Sequence, residues 1–388
     1  MFIKKNRDGS KYIDSIGPIR AGFKNDNDPS KINASVGSLC GEDNQLVAFD
    51  SVYNSYNNIE NIKKATYAES SFGNDEYNKT ILDFVLEGKV QHAKNIATAG
   101  GTGSISLPIA ICLDEGDKIL VPEVAWGNYN IICKEYGVTP VYYDGYDVDG
   151  LLSKFDELDR IFIVINSPCQ NPCGFSYTYE EWKKIIDKLN NCGKEAIVLN
   201  DVAYIDYAFD KENKKYFELL DTLNDNVLFL IGYSCSKTFS YYGMRLGTLI
   251  AINNNEEFLD YFINQCARHI RTSYSNLSNS AMINITDVIK NHKEEFLNEK
   301  QKYIDLMKQR TELFLKEADE NNLEYYPYKE GFFVTLKFDD NTERDRVHKN
   351  FFDNHIYCIK VNKGIRIALC SIPLENIKGL SARLKALY

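Results

Sequence analysis

The sequence predicts an α/β protein: a mainly parallel sheet with helices on both faces, together with a smaller α/β domain. Three observations lead there. Short apolar runs at residues 118–122, 161–165, 196–199, 227–231 and 248–252 lack polar alternation, which is the pattern of strands buried on both faces. Helical spacing of apolar residues occupies 46–56, 77–86, 105–111 and 179–189, so helices and strands alternate as in parallel crossovers. A long amphipathic stretch at 287–318 then leads to two further strands, at 332–336 and 364–369. The 388 residues are expected to divide into an N-terminal arm with part of the small domain (1–45), a large domain (46–286) and a C-terminal small domain (287–388).

The arm is broken by Gly17-Pro18 and by Asn25-Asp26-Asn27-Asp28-Pro29, and is too poor in periodic structure to fold alone. Within it, Gly37 is either a turn glycine or a point where backbone approaches a ligand. Tyr67 lies between the first two helical stretches. Gly100-Gly101-Thr102-Gly103 opens a helix, so its free amides form a phosphate seat or a plain turn. Trp126 follows the strand at 118–122 and either stacks on a flat ring or packs in the core. The run at 161–165 opens into Asn166-Ser167-Pro168-Cys169-Gln170-Asn171-Pro172-Cys173-Gly174, a loop stiffened by two prolines. The strand at 196–199 leads to Asp201 and Tyr204, and a carboxylate buried at a strand end keeps its charge only opposite a cation. Arg268 and Arg271 fall in one polar stretch, where a surface salt bridge is the alternative to a ligand contact. Arg366 interrupts an apolar strand, so it needs an anion: a ligand carboxylate, or a structural Asp or Glu.

Residues 232–247 organise the chain. Lys237 sits between hydroxyl-bearing residues at the mouth of the strand at 227–231, where partial desolvation frees its amine as a nucleophile. Arg245, between Gly243 and Gly247, can approach a phosphate and bind it with a forked pair of donors. A lysine for a carbonyl, with a serine and an arginine for a phosphate, is the donor set of a pyridoxal phosphate site.

The order Ser-x-Ser-Lys (residues 234–237) followed by Gly-x-Arg-x-Gly (243–247) resembles the cofactor-lysine motif of the class I aminotransferases of fold type I, typified by aspartate aminotransferase. The resemblance spans nearly the whole chain and is most specific between residues 100 and 366. It implies a sheet of the seven-stranded type, with Lys237 as the Schiff-base lysine. Ser234, Ser236, Arg245, Gly101 and Thr102 would surround the phosphate, Trp126 would cover the ring, and Asn171 and Tyr204 would reach the phenolic oxygen. Asp201 would hold the pyridine nitrogen protonated. For the substrate, the resemblance implies Arg366 on the α-carboxylate and Arg271 on a side-chain carboxylate offered across a dimer interface, with Gly37, Asn171 and Trp126 as further contacts. Tyr67 would reach the phosphate of the neighbouring subunit, which makes a homodimer the expected assembly. The family's Pro-Pro after Tyr-Ser-Asn is replaced here by Leu277-Ser278, which leaves that loop's geometry open. The implied activity moves an amino group between an L-amino acid (aspartate, glutamate or an aromatic one) and a 2-oxo acid such as 2-oxoglutarate, with Lys237, Asp201 and Tyr204 as the catalytic residues. Fold and lysine motif do not fix which bond breaks, so β-elimination, decarboxylation and a non-catalytic cofactor-binding regulator stay open.

The formal charge of -10 argues against nonspecific affinity for nucleic acid or anionic membrane and points to small-molecule partners. Residues 1–8 turn polar at once, without an apolar core of signal-peptide length, and no later run approaches membrane-spanning length. The expected location is the cytoplasm. The 10 cysteines are scattered, as suits reduced thiols. Cys169 and Cys173 lack a second ligand pair, so no metal is expected and they read as loop residues beside the cofactor.

Overall fold

The computed structural model describes Asp14 and residues 16–388; the reading of residues 1–8 lies outside that range. Its strands are β1 (Ile32–Asn33), β2 (Ala93–Thr98), β3 (Lys118–Pro122), β4 (Thr139–Tyr143), β5 (Ile161–Ile165), β6 (Ala196–Asp201), β7 (Val227–Ser234), β8 (Gly247–Ile252), β9 (Phe333–Lys337), β10 (Ile356–Tyr357), β11 (Ile359–Val361) and β12 (Gly364–Ala368). Seven of them form one sheet in the order β2-β8-β7-β6-β5-β3-β4. Strand β8 runs antiparallel to β7 and β2, and the other neighbours are parallel. The predicted α/β class and parallel sheet are therefore present.

Alternate residues of the central strands feed two different cores. Ile161, Ile163 and Ile165 of β5 join one apolar cluster, while Phe162 and Val164 join a second on the opposite face. Burial on both sides explains why these strands read as unbroken apolar runs. The helix Tyr179–Asn191 begins with a capping box, in which the Thr178 hydroxyl accepts from the Glu181 amide and the Glu181 carboxylate accepts from the Thr178 amide. Its Trp182 stacks on Tyr216 with ring centroids 4.5 Å apart.

Strands β11-β12-β9 form a separate antiparallel sheet, and β1 of the N-terminal arm pairs in parallel with β10. The arm thus belongs structurally with the C-terminal strands. The single helix expected at 287–318 is corrected to two, Asn279–Asn291 and Lys293–Glu320. They break at His292, whose backbone (φ -127°, ψ 17°) leaves the helical region. One non-helical residue hardly disturbs apolar spacing, so periodicity does not register it. The edge strand β4 is also absent from the sequence reading, because only Tyr143 of its residues is buried and it contains Pro140. Among the described residues no helix is long and apolar enough to cross a membrane.

Behind the lysine motif, Asp206 anchors the large sheet to the long helix. Its side chain is 8% exposed and lies 3.3 Å from Lys300 Nζ and 3.9 Å from Lys214 Nζ. Its Oδ2 accepts from Thr238 Oγ1 (2.8 Å) and from the Tyr233 hydroxyl (3.1 Å). Burial opposes ionisation here, but Lys300 and Lys214 hold the carboxyl well below the usual range. Replacing Asp206 with Asn leaves the buried Lys300 without its ion-pair partner, while Lys214 keeps Glu87 at 2.8 Å, and is expected to lower unfolding free energy by about 3–5 kcal/mol, read from the denaturant midpoint. Because the folded-state pKa is depressed, the charge contribution is present above the unfolded value of about 3.9 and is lost as pH falls through the folded value, so the gap between wild type and variant narrows in acid.

Candidate active site

The sheet leaves a crevice where its strand order reverses, between β3 and β5, at the carboxyl ends of the parallel strands. A cavity of about 190 Å³ opens at that edge. Its walls are Gly101, Thr102, Trp126, Asn171, Asp201, Ala203, Tyr204, Ser234, Ser236, Lys237, Tyr242 and Arg245. Residues separated by more than 140 positions in sequence are gathered because β2, β3, β5, β6 and β7 all end there, while β8 begins there. A larger cavity of about 780 Å³ lies at the opposite edge, beside Ala196, Asn226 and Asn253, and contains none of these groups.

One end of the small cavity is built from two helix starts and an arginine. Ser234 caps the short helix Cys235–Thr238 by accepting from the Ser236 amide at 3.3 Å. Arg245 Nη1 donates to Ser236 Oγ (3.2 Å) and to the Tyr242 carbonyl (2.9 Å). The helix Gly100–Cys112 has no side chain capping its first turn, so its amides remain available. Gly100 has φ +69°, and a Cβ there would lie 2.6 Å from Arg245 Nη2; only glycine lets the guanidinium rest against this helix start.

Lys237 lies half-buried at the centre. Its Nζ donates to the Gly37 carbonyl and lies 4.7 Å from the Tyr242 ring centroid and 5.4 Å from that of Tyr204. Burial depresses its pKa to about 8; Cys370 opposes that shift, whereas the positive charges of Arg366 and Arg245 add to it.

Asp201, at the end of β6, is buried with two donors: the Tyr129 hydroxyl reaches Oδ2 at 2.7 Å and the Ala203 amide reaches Oδ1 at 3.0 Å. Burial pushes its carboxyl up to about 6, against the pull of both hydrogen bonds, and no cation of the described chain offsets it. A cation must therefore come from a ligand if the carboxylate is to stay charged. The donor set fits pyridoxal phosphate: a cradle of hydroxyls, amides and a guanidinium for the phosphate, a carboxylate for a protonated ring nitrogen, and an amine for a carbonyl.

Arg366 adjoins the cavity through Nη1, which donates to Asn171 Oδ1 at 3.0 Å, while Nη2 donates to the Ser35 carbonyl at 2.9 Å. It stacks on Phe333 at 4.3 Å, and its buried Nε has no partner. No Asp or Glu of the described chain pairs with it, so the alternative of a structural ion pair falls away and the guanidinium remains open to a ligand anion. Gly37 is drawn in through its carbonyl, and a Cβ there would meet the Phe333 ring at 3.1 Å.

Two expected site residues stand apart within this chain. Tyr67 is 83% exposed, and Arg271 is an exposed residue near the end of the helix Glu256–Ser273, where Nη1 donates to Ser275 Oγ at 2.8 Å. Cys169 and Cys173, expected beside the cofactor, are buried away from the cavity wall; Cys173 Sγ accepts from the Tyr146 hydroxyl at 2.8 Å. Sequence reasoning missed Tyr129 and Tyr242. Tyr242 lies inside the lysine motif, and its hydroxyl accepts from the Leu39 amide at 2.9 Å. Tyr129 lies three residues after Trp126, and that spacing was the available signal.

An aspartate aminotransferase of Dictyostelium discoideum, cytoplasmic by name, is 26% identical over 278 residues, or 68% of this chain and 63% of that protein. A solved aminotransferase structure from Anaerococcus prevotii superposes with a TM-score of 0.92 at 28% identity, covering 100% of this chain and 99% of that one. An aromatic-amino-acid aminotransferase from Burkholderia pseudomallei, solved covalently bound to pyridoxal phosphate, shares the fold with a TM-score of 0.78 at 19% identity, over 97% of this chain and 98% of its own. The model of the family described as aminotransferase class I and II matches residues 29–384, and the chain belongs to that family.

Proposed function

We propose that the chain is a pyridoxal-phosphate-dependent aminotransferase moving an amino group between an L-amino acid and a 2-oxo acid. The observation that carries this reading is the meeting, in one cavity, of a depressed lysine amine, a buried carboxylate without a cation, and a phosphate cradle. The cofactor and the donor class, aspartate, glutamate or an aromatic amino acid, are supported by the names of the relatives and by the covalently loaded Burkholderia structure. The acceptor is a 2-oxo acid such as 2-oxoglutarate.

When bound, pyridoxal phosphate supplies a carbonyl that condenses with amines and a protonated ring that draws off the electron pair left by a departing α-proton. The chain's residues do the rest. Ser234, Ser236, Arg245, Gly101 and Thr102 hold the phosphate, and Trp126 covers the ring. Asp201 keeps a proton on the ring nitrogen, while Asn171 and Tyr204 orient the phenolic oxygen. Arg366 takes the substrate α-carboxylate. Lys237 Nζ would serve as the base that takes the α-proton and moves it toward the cofactor's carbonyl-derived carbon.

The domain boundaries at 45 and 286 put Lys237 on the large domain and Arg366 on the small one. Tyr67 and Arg271 serve the site of a second copy, Arg271 receiving a side-chain carboxylate. Both are exposed and free to face a second copy. Sedimentation is expected to give a dimer; a fully active monomer would refute both cross-subunit roles. Cytoplasmic residence is supported by the Dictyostelium relative, which is cytoplasmic by name.

With the cofactor bound, adding L-aspartate should convert the absorbance of the aldehyde form to that of the amine form, and 2-oxoglutarate should restore it. Pyruvate and ammonia released from a cysteine-like substrate instead would mean elimination. Since the Lys237 amine has a pKa of about 8, its neutral fraction grows as pH rises through that value, so cofactor uptake by the empty chain should accelerate up to about pH 9 and then level. Lys237→Ala should lose that covalent uptake and lower kcat by about a thousandfold or more, while the phosphate cradle still binds the cofactor measurably.

A further inference from the structure

Tyr129 lies in the first turn of the helix Asn128–Tyr136 and is fully buried. Its hydroxyl donates to Asp201 Oδ2, its ring meets Trp126 edge-on with centroids 5.4 Å apart, and its amide donates to the Trp126 carbonyl at 3.1 Å. One side chain thus touches both a wall of the cavity and the carboxylate at its floor. The groups bearing on Asp201 are the Tyr129 hydroxyl and the amide of Ala203; those around Tyr129 are Asp201, Tyr143 and Tyr204. None of these is a cation.

We propose that Tyr129 is a positioning residue acting through Asp201: its hydroxyl fixes Oδ2 and favours the charged carboxylate, so that Asp201 meets the ring nitrogen as an anion. This rests on the role given to Asp201 above. Desolvation drives the carboxyl toward its neutral form, and a charge-assisted bond from a buried phenol is the one side-chain force opposing it. Burial pushes the Tyr129 phenol well above its ordinary pKa, so it stays a donor throughout the working pH range. A phenylalanine would keep the ring and its contact with Trp126 but leave Oδ2 without a donor. The carboxyl would then hold its proton to higher pH, and a neutral acid does not stabilise a cationic ring.

The test is a double-mutant cycle on the full chain, with Tyr129→Phe, Asp201→Asn and the pair. Two readouts are needed: the Kd for pyridoxal phosphate, and the pH at which the absorbance bands of the loaded protein interchange. Tyr129→Phe is expected to weaken binding about tenfold and to move that pH, with no further effect of Tyr129→Phe once Asp201→Asn is present. Equal losses in both backgrounds, or unchanged Kd and spectra, would overturn the proposal. If Asp201→Asn alone changes neither readout, the role of Asp201 fails and takes this inference with it; the single variants therefore separate the two failures. In the chain without cofactor, ¹³C NMR of the Asp201 carboxyl gives an independent measure: its midpoint should rise by about one pH unit in Tyr129→Phe. Should that variant not fold, 3-fluorotyrosine at position 129, a stronger donor of nearly the same size, should lower the midpoint, and an unmoved midpoint would count against the proposal.

Discussion

Strands buried on both faces have polar chemistry available only at their ends, and that constraint organises this chain. β5, β6 and β7 are wholly buried and carry aliphatic residues almost to their last positions. Polar groups appear where each strand runs out: the loop that holds Asn171 after β5, Asp201 closing β6, and Ser234 closing β7. Two helices start at the same edge, at Gly100 and Cys235, and bring unpaired amides to it. The site is thus a consequence of where an apolar sheet stops, before any catalytic argument is made.

The electrostatics of that edge are unbalanced. Arg245, Arg366 and Lys237 contribute positive charge or the capacity for it, and Asp201 is the one carboxylate on the cavity wall. Desolvation depresses the lysine amine and the two arginines add to that shift, while the arginines are short of anions and the carboxylate has no cation of the described chain bearing on it. A ligand with an anionic end, a cationic ring nitrogen and a carbonyl resolves all three tensions together. On the far side of the lysine helix the opposite economy holds: Asp206 is saturated by two lysines and two hydroxyls, which makes the support beneath Lys237 rigid while the face above it remains incomplete.

What could be read from sequence follows the same physics. The central strands were legible because burial on both faces forces unbroken apolar runs. The edge strand Thr139–Tyr143 and the break at His292 were not, since a half-wet strand and a one-residue interruption leave little trace in hydropathy. The lysine motif was legible because its chemistry needs particular side chains at close spacing. Tyr129 was not, because a buried tyrosine is ordinarily core, and its partner lies 72 positions away. The contributions of Ser35 and Gly37 are carbonyl oxygens, and backbone atoms carry no residue-specific signal. Tyr67 and Arg271 have recognisable sequence contexts, yet one chain alone leaves both on its surface.

Those two carbonyls tie the arm to two of the three ligand-facing cations: Ser35 accepts from Arg366, and Gly37, two residues on, accepts from Lys237. Tyr242 fixes the next step of the same segment by accepting from the Leu39 amide. The arm is therefore a ruler as well as a cover. Inserting or deleting a single residue between positions 35 and 39 would throw the three contacts out of step, so this irregular segment, which has no secondary structure to enforce its length, is held to a fixed count by the side chains it spans.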